Sequence, residues 1–515
     1  MKIIGLISLL PILNFCDGRK NVLFLVADDM RPELGCYYGD DFPSKIHPLM
    51  HTPNIDALAR RSLLLKRAYV QQAVCSPSRT SLLTGRRPDT THIYDLHSYF
   101  RDIGGNFTTI PQYFKMNGYT SVGMGKIFHQ GHASNNDDPI SWSMPYFHAP
   151  NQAYWINSNV SSWRAVSETE MKENPLPDKQ ITDRAMEVLK NVAPDAKSGK
   201  KPFFVAVGFH KPHLPFVFPD KMLQYYPKES IHLPDNEYAP VNMPEIAWRN
   251  CKGLLMKPDL QQKNVTMDMN VTFPSQVTLD LRRAYYSAIS WIDSLIGRVL
   301  TELDDLGLSN NTIVSFFGDH GWQLGEHGAW CKMTNFELAT HAPMMIHIPG
   351  MTEGGIVSEE LTEFVDLFPT LAEAAELSPL QLCPITSSNI SLCREGTSLM
   401  PLIKEPNTPL KRAAFSQYPR KVNDTIFNVM GYTMRTEKYR YTEWAKFSGA
   451  PAYGPDWNIL FGVELYDHQT DPDENYNRAM DSSYATIRQS LSQQLRAGWR
   501  KAVLLRVPSE SDILG

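Results

Sequence analysis

The chain has 515 residues, of which 42% are hydrophobic and 20% are charged, and its formal net charge is −5. This length fits one large α/β unit with an appendage, or roughly two to four domains of ordinary size. The composition excludes intrinsic disorder, a fibrous repeat and a globally basic nucleic-acid-binding protein. Seven cysteines are too few for a disulfide scaffold, and their odd number predicts at least one unpaired thiol.

The N-terminus has the pattern of a secretory signal peptide. A basic Met1-Lys2 start precedes an apolar run at residues 3–15, and small or polar residues follow from Cys16 to Gly18. The run is too short to span a bilayer, and no later stretch reaches the roughly 18 consecutive apolar residues of a membrane helix. We therefore predict a signal peptide at residues 1–17. The alternative is a buried strand or helix at the start of the fold.

Glycosylation motifs support a route through the secretory pathway. Each Asn-X-Ser/Thr sequon is a weak signal alone, but the chain contains seven of them. They lie at Asn106, Asn159, Asn264, Asn270, Asn310, Asn389 and Asn423.

Short apolar runs alternate with helical patterns along the chain. The predicted strands lie at 21–27, 202–208, 312–317 and 343–348, and the predicted helices at 52–65 and 279–306. Strands that are apolar throughout and separated by helices indicate a mostly parallel sheet that is buried on both faces. The predicted fold class is therefore α/β, with a large, mostly parallel central sheet flanked by helices.

The composition changes at residues 378–411, where Pro, Ser and Thr accumulate around Cys383 and Cys393. We place a domain boundary there. The predicted units are a main domain at 18–403 and a smaller C-terminal α+β subdomain at 404–515, with strand-like sequence at 431–444 and a final helix at 484–504. Residues 135–174, rich in Asn, Ser, Trp and Pro, are predicted to form a long surface loop.

Three predicted strands run directly into polar clusters, at Asp28-Asp29, at His210 to His213 and at Asp319-His320. Ligands of open α/β sheets bind beyond the carboxyl ends of the strands, so the clusters predict one convergent site. Neighbouring side chains of a strand point in opposite directions, so the first two acids can face one ion only if the chain turns at once. The carboxylates favour Ca²⁺ or Mg²⁺, whereas the histidine nitrogen is a ligand typical of softer metals.

Cys75 stands where a turn leads into a predicted helix, in the segment Cys75-Ser-Pro-Ser-Arg79, which continues to Leu83-Thr-Gly-Arg86. A thiol at a helix N-terminus can act as a nucleophile, whereas a lone cysteine at a turn is more often simply buried. The whole motif resembles the signature of the type I sulfatases. In that family this cysteine is converted to formylglycine in the endoplasmic reticulum, and the aldehyde adds water to become the nucleophilic diol.

The resemblance to the type I sulfatases runs along nearly the whole chain. It includes Asp28-Asp29, Gly125-Lys-Ile-Phe-His129, His210-Lys-Pro-His213, Gly318-Asp-His-Gly321 and the segment from Glu464 to Glu474. It implies an alkaline-phosphatase-like fold and a catalytic role for the main domain. It also implies one bound Ca²⁺, whose ligands would be Asp28, Asp29, Asp319, His320 and the group made from Cys75.

The family also implies the catalytic residues Cys75, Arg79, Lys126, His129, Lys211, His213 and Lys332. Arg79 would hold the diol, and the three lysines would stabilise the charge of the transferred sulfate. His213, helped by Lys332, would protonate the leaving sugar hydroxyl, and His129 would take the proton of the second diol hydroxyl. The alternative is that these lysines are ordinary solvent-exposed surface residues. We expect His210 and His327 to be structural.

Residues 75–91, 324–332 and 416–420 resemble a branch of the family that removes the 2-O-sulfate from terminal iduronate in heparan sulfate and dermatan sulfate. This implies a glycosaminoglycan substrate, maturation by a formylglycine-generating enzyme, and a lysosomal or secreted protein. An anionic sugar needs local positive charge, for which the candidates are Arg86, Arg87, Lys332, Arg420 and Arg435. The sugar could also meet an aromatic wall, although Tyr94, Trp322 and Trp330 could equally be core residues.

The remaining cysteines and the competing functions complete the prediction. Cys383 with Cys393 is the expected disulfide, Cys251 with Cys331 is a possible one, and Cys36 is expected to be a free buried thiol. Another exosulfatase or an arylsulfatase-type enzyme is the main alternative function. A phosphodiesterase or phosphomonoesterase of the wider superfamily would use Ser or Thr at position 75. A non-catalytic relative would have lost some of the catalytic residues.

Overall fold

The central sheet determines where the polar clusters lie. The structure, a computed structural model, describes residues 19–38, 48–151, 160–421 and 428–504. The predicted signal peptide, Asn159 and Asn423 lie outside these residues. The sheet contains seven strands. They are β1 (Asn21–Asp28), β2 (Leu63–Tyr69), β3 (Thr120–Gly125), β4 (Phe203–Pro212), β5 (Thr312–Gly318), β6 (Met344–His347) and β7 (Ile356–Glu363).

The strand order is β7-β2-β6-β5-β1-β4-β3. Strand β6 is antiparallel to both of its neighbours, while every other pairing in the sheet is parallel. The predicted mostly parallel α/β sheet is therefore confirmed. The carboxyl ends of β5, β1, β4 and β3, which are adjacent in the sheet, meet at one edge.

Strand β1 shows why the sheet is buried on both faces. Its residues alternate between two hydrophobic cores, because successive side chains of a strand point to opposite faces. Leu23, Leu25 and Ala27 enter one core. Val22, Phe24 and Val26 enter the other. Because a core lies on each face of the sheet, each of residues 22–27 is apolar.

The longer helices are α1 (Pro53–Ala59), α2 (Cys75–Thr84), α3 (Ile110–Met116), α4 (Pro177–Lys197), α5 (Ser275–Asp305), α6 (Leu367–Ala374) and α7 (Ala485–Ala497). Shorter helices span Pro88–Thr91, Phe100–Ile103, Glu168–Glu173, Lys252–Leu255, Pro258–Gln262, Glu337–Thr340 and Pro401–Lys404. The predicted helix at 279–306 agrees with α5. The predicted helix at 52–65 was wrong beyond Ala59, because the chain turns and enters β2 at Leu63.

A second sheet, of four antiparallel strands, lies in the C-terminal part of the chain. Its strands are β8 (Ala413–Arg420), β9 (Val429–Thr436), β10 (Tyr439–Ser448) and β11 (Gly454–Asp467). The strand-like sequence at 431–444 thus belongs to two strands, and α7 ends earlier than predicted. A strand at Trp163–Val166, paired with Phe216–Pro219, and the helix at Glu168–Glu173 interrupt the predicted long surface loop.

Two disulfides join cysteines within the described residues: Cys383–Cys393, as expected, and Cys251–Cys331. Cys36 is free but only half-buried, so its predicted full burial was wrong. Among the residues that the structure describes, no helix is long and apolar enough to cross a membrane.

Candidate active site

Four adjacent strand ends bring the predicted residues together. Asp28-Asp29 ends β1, Asp319-His320 follows β5, His210 to His213 ends β4, and Lys126 follows β3. Of the seven candidate ligands or catalysts at these ends, six are buried and His213 is half-buried. The expected convergence at one sheet edge therefore occurs.

Asp29 leaves the strand through a sharp turn. Its φ is 62°, in the left-handed region that most residues avoid. Its backbone N–H donates to Asp319 Oδ1 at 2.9 Å, and its carbonyl accepts from the hydroxyl of Tyr285 at 2.7 Å. The turn and these two bonds let the adjacent Asp28 and Asp29 carboxylates face the same point, as the sequence required.

Cys75 is the first residue of helix α2, and its thiol is buried at the centre of the cluster. Its Sγ lies 3.5 Å from Asp28 Oδ1 and 3.5 Å from His320 Nε2. Burial, reinforced by the negative charge of Asp28, raises the pKa of the Cys75 thiol. The unmodified thiol is thus a poor nucleophile here, although it stands at a helix N-terminus.

Arg79 lies one turn further along α2 and ties three strand ends together. Its Nε donates to Asp319 Oδ2 at 2.8 Å, its Nη2 to Asp28 Oδ1 at 3.1 Å and its Nη1 to the carbonyl of Ile127 at 3.0 Å. Burial opposes its charge, but the two carboxylates outweigh burial and raise the pKa of Arg79. Its hydrogen bonds go to the ligand-bearing strands, so Arg79 holds the carboxylates in position.

Two lysines flank the thiol. Lys126 Nζ lies 3.5 Å and Lys332 Nζ 3.1 Å from Cys75 Sγ. Each ammonium group also contacts a carboxylate, Lys126 that of Asp28 and Lys332 that of Asp29. Neither lysine is a solvated surface charge, since their exposed fractions are 2% and 7%.

The two candidate acid–base histidines occupy different positions. His213 Nδ1 lies 2.6 Å from the carbonyl of Leu214, and its Nε2 lies 3.9 Å from Asp29 Oδ2. His129 is half-buried, and its Nδ1 has no hydrogen-bond partner among the described residues. Burial and then the charge of Lys126 lower the pKa of His129 to about 3, so its ring is neutral.

Lys211 points into its own loop. Its Nζ donates to the carbonyls of His213 and Pro215, each at 2.7 Å. Burial lowers the pKa of Lys211 to about 7, although Asp178 opposes this shift. The contact of Lys211 with sulfate therefore stays a prediction.

The carboxylates fit a divalent cation. Burial raises the pKa of Asp29 to about 7. At Asp28 burial acts in the same direction, but the combined charges of the surrounding cations, Lys126 foremost, outweigh it and hold the pKa of Asp28 well below its usual value. Asp29 Oδ2 is buried with no hydrogen-bond partner among the described residues. Ligand atoms of Asp28, Cys75, Asp319 and His320, and of Asp28, Asp29, Cys75 and His213, lie within 4.8 Å of one another. A buried carboxylate oxygen without a partner favours an ion at this point.

Three supporting residues had not been predicted. Asp178, at the start of α4, accepts from the backbone N–H of His210 at 2.7 Å and of Lys211 at 3.1 Å, and thus anchors their loop. The Tyr285 hydroxyl bridges Asp29 and the N–H of Arg31. Arg249 is a half-buried cation whose charge, after burial, helps to lower the pKa of Arg420 to about 10. No local motif marks these positions, and Asp178 and Tyr285 reach the site only through tertiary packing.

Four of the five cations proposed to bind the substrate form their contacts with other groups of the protein. Arg86 donates to the Ser387 hydroxyl, Arg87 pairs through two bonds with Glu363, and Arg435 pairs with Glu337. Arg420 is buried and donates to the carbonyls of residues 246 and 247. Of the five candidates, Lys332 alone contacts Cys75 in the described part of the chain.

The aromatic candidates are core residues. Trp322 and Trp330 are each 2% exposed, and Tyr94 is 8% exposed. Trp322 still makes a cation–π contact with the site, because the Lys332 ammonium lies 5.3 Å from the centre of its ring. His327 is buried with Nε2 2.7 Å from the carbonyl of Asp473, as expected for a structural histidine.

Comparison with known proteins agrees with this site. The sulfatase family model matches residues 20–377, and the model described as N-sulphoglucosamine sulphohydrolase, C-terminal, matches residues 325–501. The chain therefore belongs to the sulfatase family and is a sulfuric ester hydrolase. Membership implies a metal ion and a formylglycine.

Within the family, the chain is similar to iduronate 2-sulfatase from Mus musculus and from Homo sapiens. It is 38% identical to each, over 93% of this chain and 94% of each relative. Its fold is also similar to a solved structure of an enzyme in complex with its substrate D-glucosamine-2-N,6-O-disulfate. That comparison has a TM-score of 0.68 and 20% identity, and it covers 93% of this chain and 97% of the other. The alkaline-phosphatase-like sulfatase fold is thus confirmed.

Proposed function

We propose that this enzyme hydrolyses the 2-O-sulfate ester of terminal iduronate in heparan sulfate and dermatan sulfate. The observation that carries the proposal is the 38% identity to iduronate 2-sulfatases over 93% of the chain. The buried lysines beside Cys75 support a sulfate ester as the reacting group, because they bring positive charge to the nucleophile.

The reaction needs a cation and a modified Cys75. We assign the cation as Ca²⁺, held by Asp28, Asp29, Asp319 and His320, where it would stabilise negative charge on a neighbouring oxygen. Formylglycine at position 75, made by a formylglycine-generating enzyme, would supply the oxygen nucleophile in its hydrated form.

The surrounding side chains bind the sulfate and move protons. Lys126 and Lys332 offset the charge on the sulfate oxygens as the ester bond breaks, with Lys211 as a further candidate. His213 gives a proton to the leaving sugar oxygen, and neutral His129 accepts the proton that must leave before sulfate is released. Arg79 acts as a positioning residue, since it fixes the Asp28 and Asp319 carboxylates.

Arg249 is our candidate for the uronate carboxylate. It is half-buried and close enough to Tyr418 and Arg420 for its charge to act on the pKa of both groups. The charges of Lys332 and Cys75 also act on the pKa of Tyr418, so Tyr418 lies within electrostatic range of the nucleophile. An Arg249→Ala variant should raise KM for a uronate substrate more than KM for an aryl sulfate, which carries no carboxylate.

We further propose that the chain is a lysosomal or secreted glycoprotein. The apolar N-terminal run and the seven sequons support this assignment. The secretory route would also bring the chain to the compartment in which formylglycine is made.

The decisive experiment measures sulfate release at acidic pH from a disaccharide that carries 2-O-sulfated iduronate at its non-reducing end. Cys75→Ala is the inactive control, and mass spectrometry of the Cys75 peptide should find formylglycine. Release of sulfate from 6-O- or N-sulfated glucosamine, with the iduronate substrate left intact, would refute the specificity but retain the class. An unmodified thiol in an active preparation would refute the mechanism.

A further inference from the structure

The Cys251–Cys331 disulfide lies next to a residue of the active site. Cys331 directly precedes Lys332, whose Nζ lies 3.1 Å from Cys75 Sγ. The disulfide joins residues 80 positions apart, and Cys331 is 4% exposed. A covalent link one residue from a catalytic ammonium group can control where that group lies.

The backbone on both sides of Lys332 is unusual. Cys331 has a φ of 72° and Met333 a φ of 78°, and neither is glycine. Left-handed backbone is unfavourable for a residue with a side chain, so the surroundings must hold both residues in place. On the C-terminal side of Lys332, the Met333 N–H donates to the carbonyl of Ala73 at 3.0 Å. Ala73 lies in the loop that leads to Cys75.

On the N-terminal side of Lys332, little secondary structure holds the backbone in place. Cys331 ends a hairpin of two two-residue strands, Gln323–Leu324 and Trp330–Cys331. A ladder of this length is too short to be stable alone. Within the described residues, the disulfide to Cys251 is the covalent restraint on this side of Lys332.

The segment that carries Cys251 is itself anchored. The indole N–H of Trp248 donates to the carbonyl of His327 at 3.2 Å. Arg420, at the end of β8, donates to the carbonyls of residues 246 and 247 at 2.9 and 3.1 Å. The disulfide therefore ties the Lys332 hairpin to a segment that the C-terminal sheet holds in place.

We propose that the Cys251–Cys331 disulfide is a positioning device for Lys332. It holds Cys331 in the left-handed conformation that directs the Lys332 ammonium group toward residue 75. The inference rests on the proposed role of Lys332 in the reaction. Displacement of a catalytic group by about 1 Å can reduce the rate about a hundredfold, so a loosened hairpin should lower kcat rather than unfold the protein.

The test is a double-mutant cycle that combines Cys251→Ala/Cys331→Ala with Lys332→Met. We expect removal of the disulfide to lower kcat about 10- to 100-fold in the wild-type background and less than threefold in the Lys332→Met background, because coupled residues are not additive. An equal loss of kcat in both backgrounds overturns the proposal. Cys383→Ala/Cys393→Ala is the matched control, which should lower thermal stability and leave kcat unchanged.

The cycle is measured on an aryl sulfate, so that a wrong assignment of the sugar substrate does not affect it. Full activity of Lys332→Met would overturn the proposed role of Lys332 together with this inference. If the double alanine variant does not fold, the Cys383→Ala/Cys393→Ala protein is reduced and alkylated under native conditions instead. The same fall in kcat is expected, and unchanged kcat after verified reduction overturns the proposal.

Discussion

At the scale of single residues, Asp29 combines three functions in one turn. Its left-handed backbone directs its side chain toward Cys75, its N–H binds Asp319, and its carboxylate keeps one oxygen without a hydrogen-bond partner in the described structure. Burying a carboxylate in this way costs stability unless a cation compensates it. The Asp29 carboxylate is therefore available to bind an ion. Its position is determined by the backbone turn and not by a flexible side chain.

Asp319→Asn tests the cation site. The variant loses one ligand charge and weakens the bond that Arg79 Nε makes to Asp319 at 2.8 Å. We expect the affinity for Ca²⁺, measured by calorimetric titration, to fall at least about tenfold. Asp56→Asn, which changes a carboxylate outside the site, is the control. An unchanged Ca²⁺ affinity of Asp319→Asn would contradict the assignment.

His213→Gln tests the general acid. A sugar oxygen needs a proton to leave, whereas an aryl oxide leaves without one, so the variant should lower kcat about 100-fold or more on the sugar and far less on an aryl sulfate. His210→Gln, two positions before Pro212, is the comparison and should affect both substrates alike. Equal losses of kcat for His213→Gln on the two substrates would remove His213 from the role of acid.

At the scale of elements, Glu363, the last residue of β7, forms hydrogen bonds with residues on both sides of the predicted domain boundary. Its carboxylate accepts two bonds from Arg87 and one each from Lys411 Nζ and the N–H of Phe415. Burial opposes ionisation, but the charges of Arg87 and Lys411 lower the pKa of Glu363 to about 2. The residue therefore stays ionised at acidic pH.

Glu363→Gln should destabilise the protein by about 3–5 kcal/mol, because it leaves the buried guanidinium of Arg87 without its carboxylate partner, whereas Lys411 keeps its ion pair with Asp366. The folded-state pKa lies below the ordinary value of 4.5, so the stabilisation is complete above about pH 5 and is lost as the pH falls toward 2. Urea denaturation at pH 6 and at pH 3 should show a smaller difference between the two proteins at pH 3. A difference that grows on acidification would contradict this assignment.

At the scale of the molecule, the sequence predicts the parallel sheet and the position of the site well. Apolar strands such as β1 signal burial on both faces, and polar residues at their carboxyl ends signal the site. The helix at 52–65 was overextended because no Gly or Pro marks the turn at residues 60–62. Arg87 was misassigned because its partner Glu363 lies 276 residues away. The boundary between residues 403 and 404 stays a prediction.

Removal of the cation should affect the whole molecule. At a free Ca²⁺ concentration about 100 times Kd, binding adds about 2.7 kcal/mol to the free energy of unfolding. Chelation should therefore lower Tm and abolish sulfate release, and added Ca²⁺ should restore both. Calorimetry with and without chelator measures the shift, and an unchanged Tm would indicate that no cation occupies the site.

Burial of Cys75 also sets an order of events in biosynthesis. Its side chain is 3% exposed, at the first residue of a helix that is itself buried along its whole length. Another enzyme cannot reach this thiol unless α2 is first pulled out of the core. The proposed conversion to formylglycine must therefore occur while the chain is still unfolded, and each molecule has one opportunity for activation. A chain that folds with its thiol intact would be stable, correctly shaped and permanently inactive.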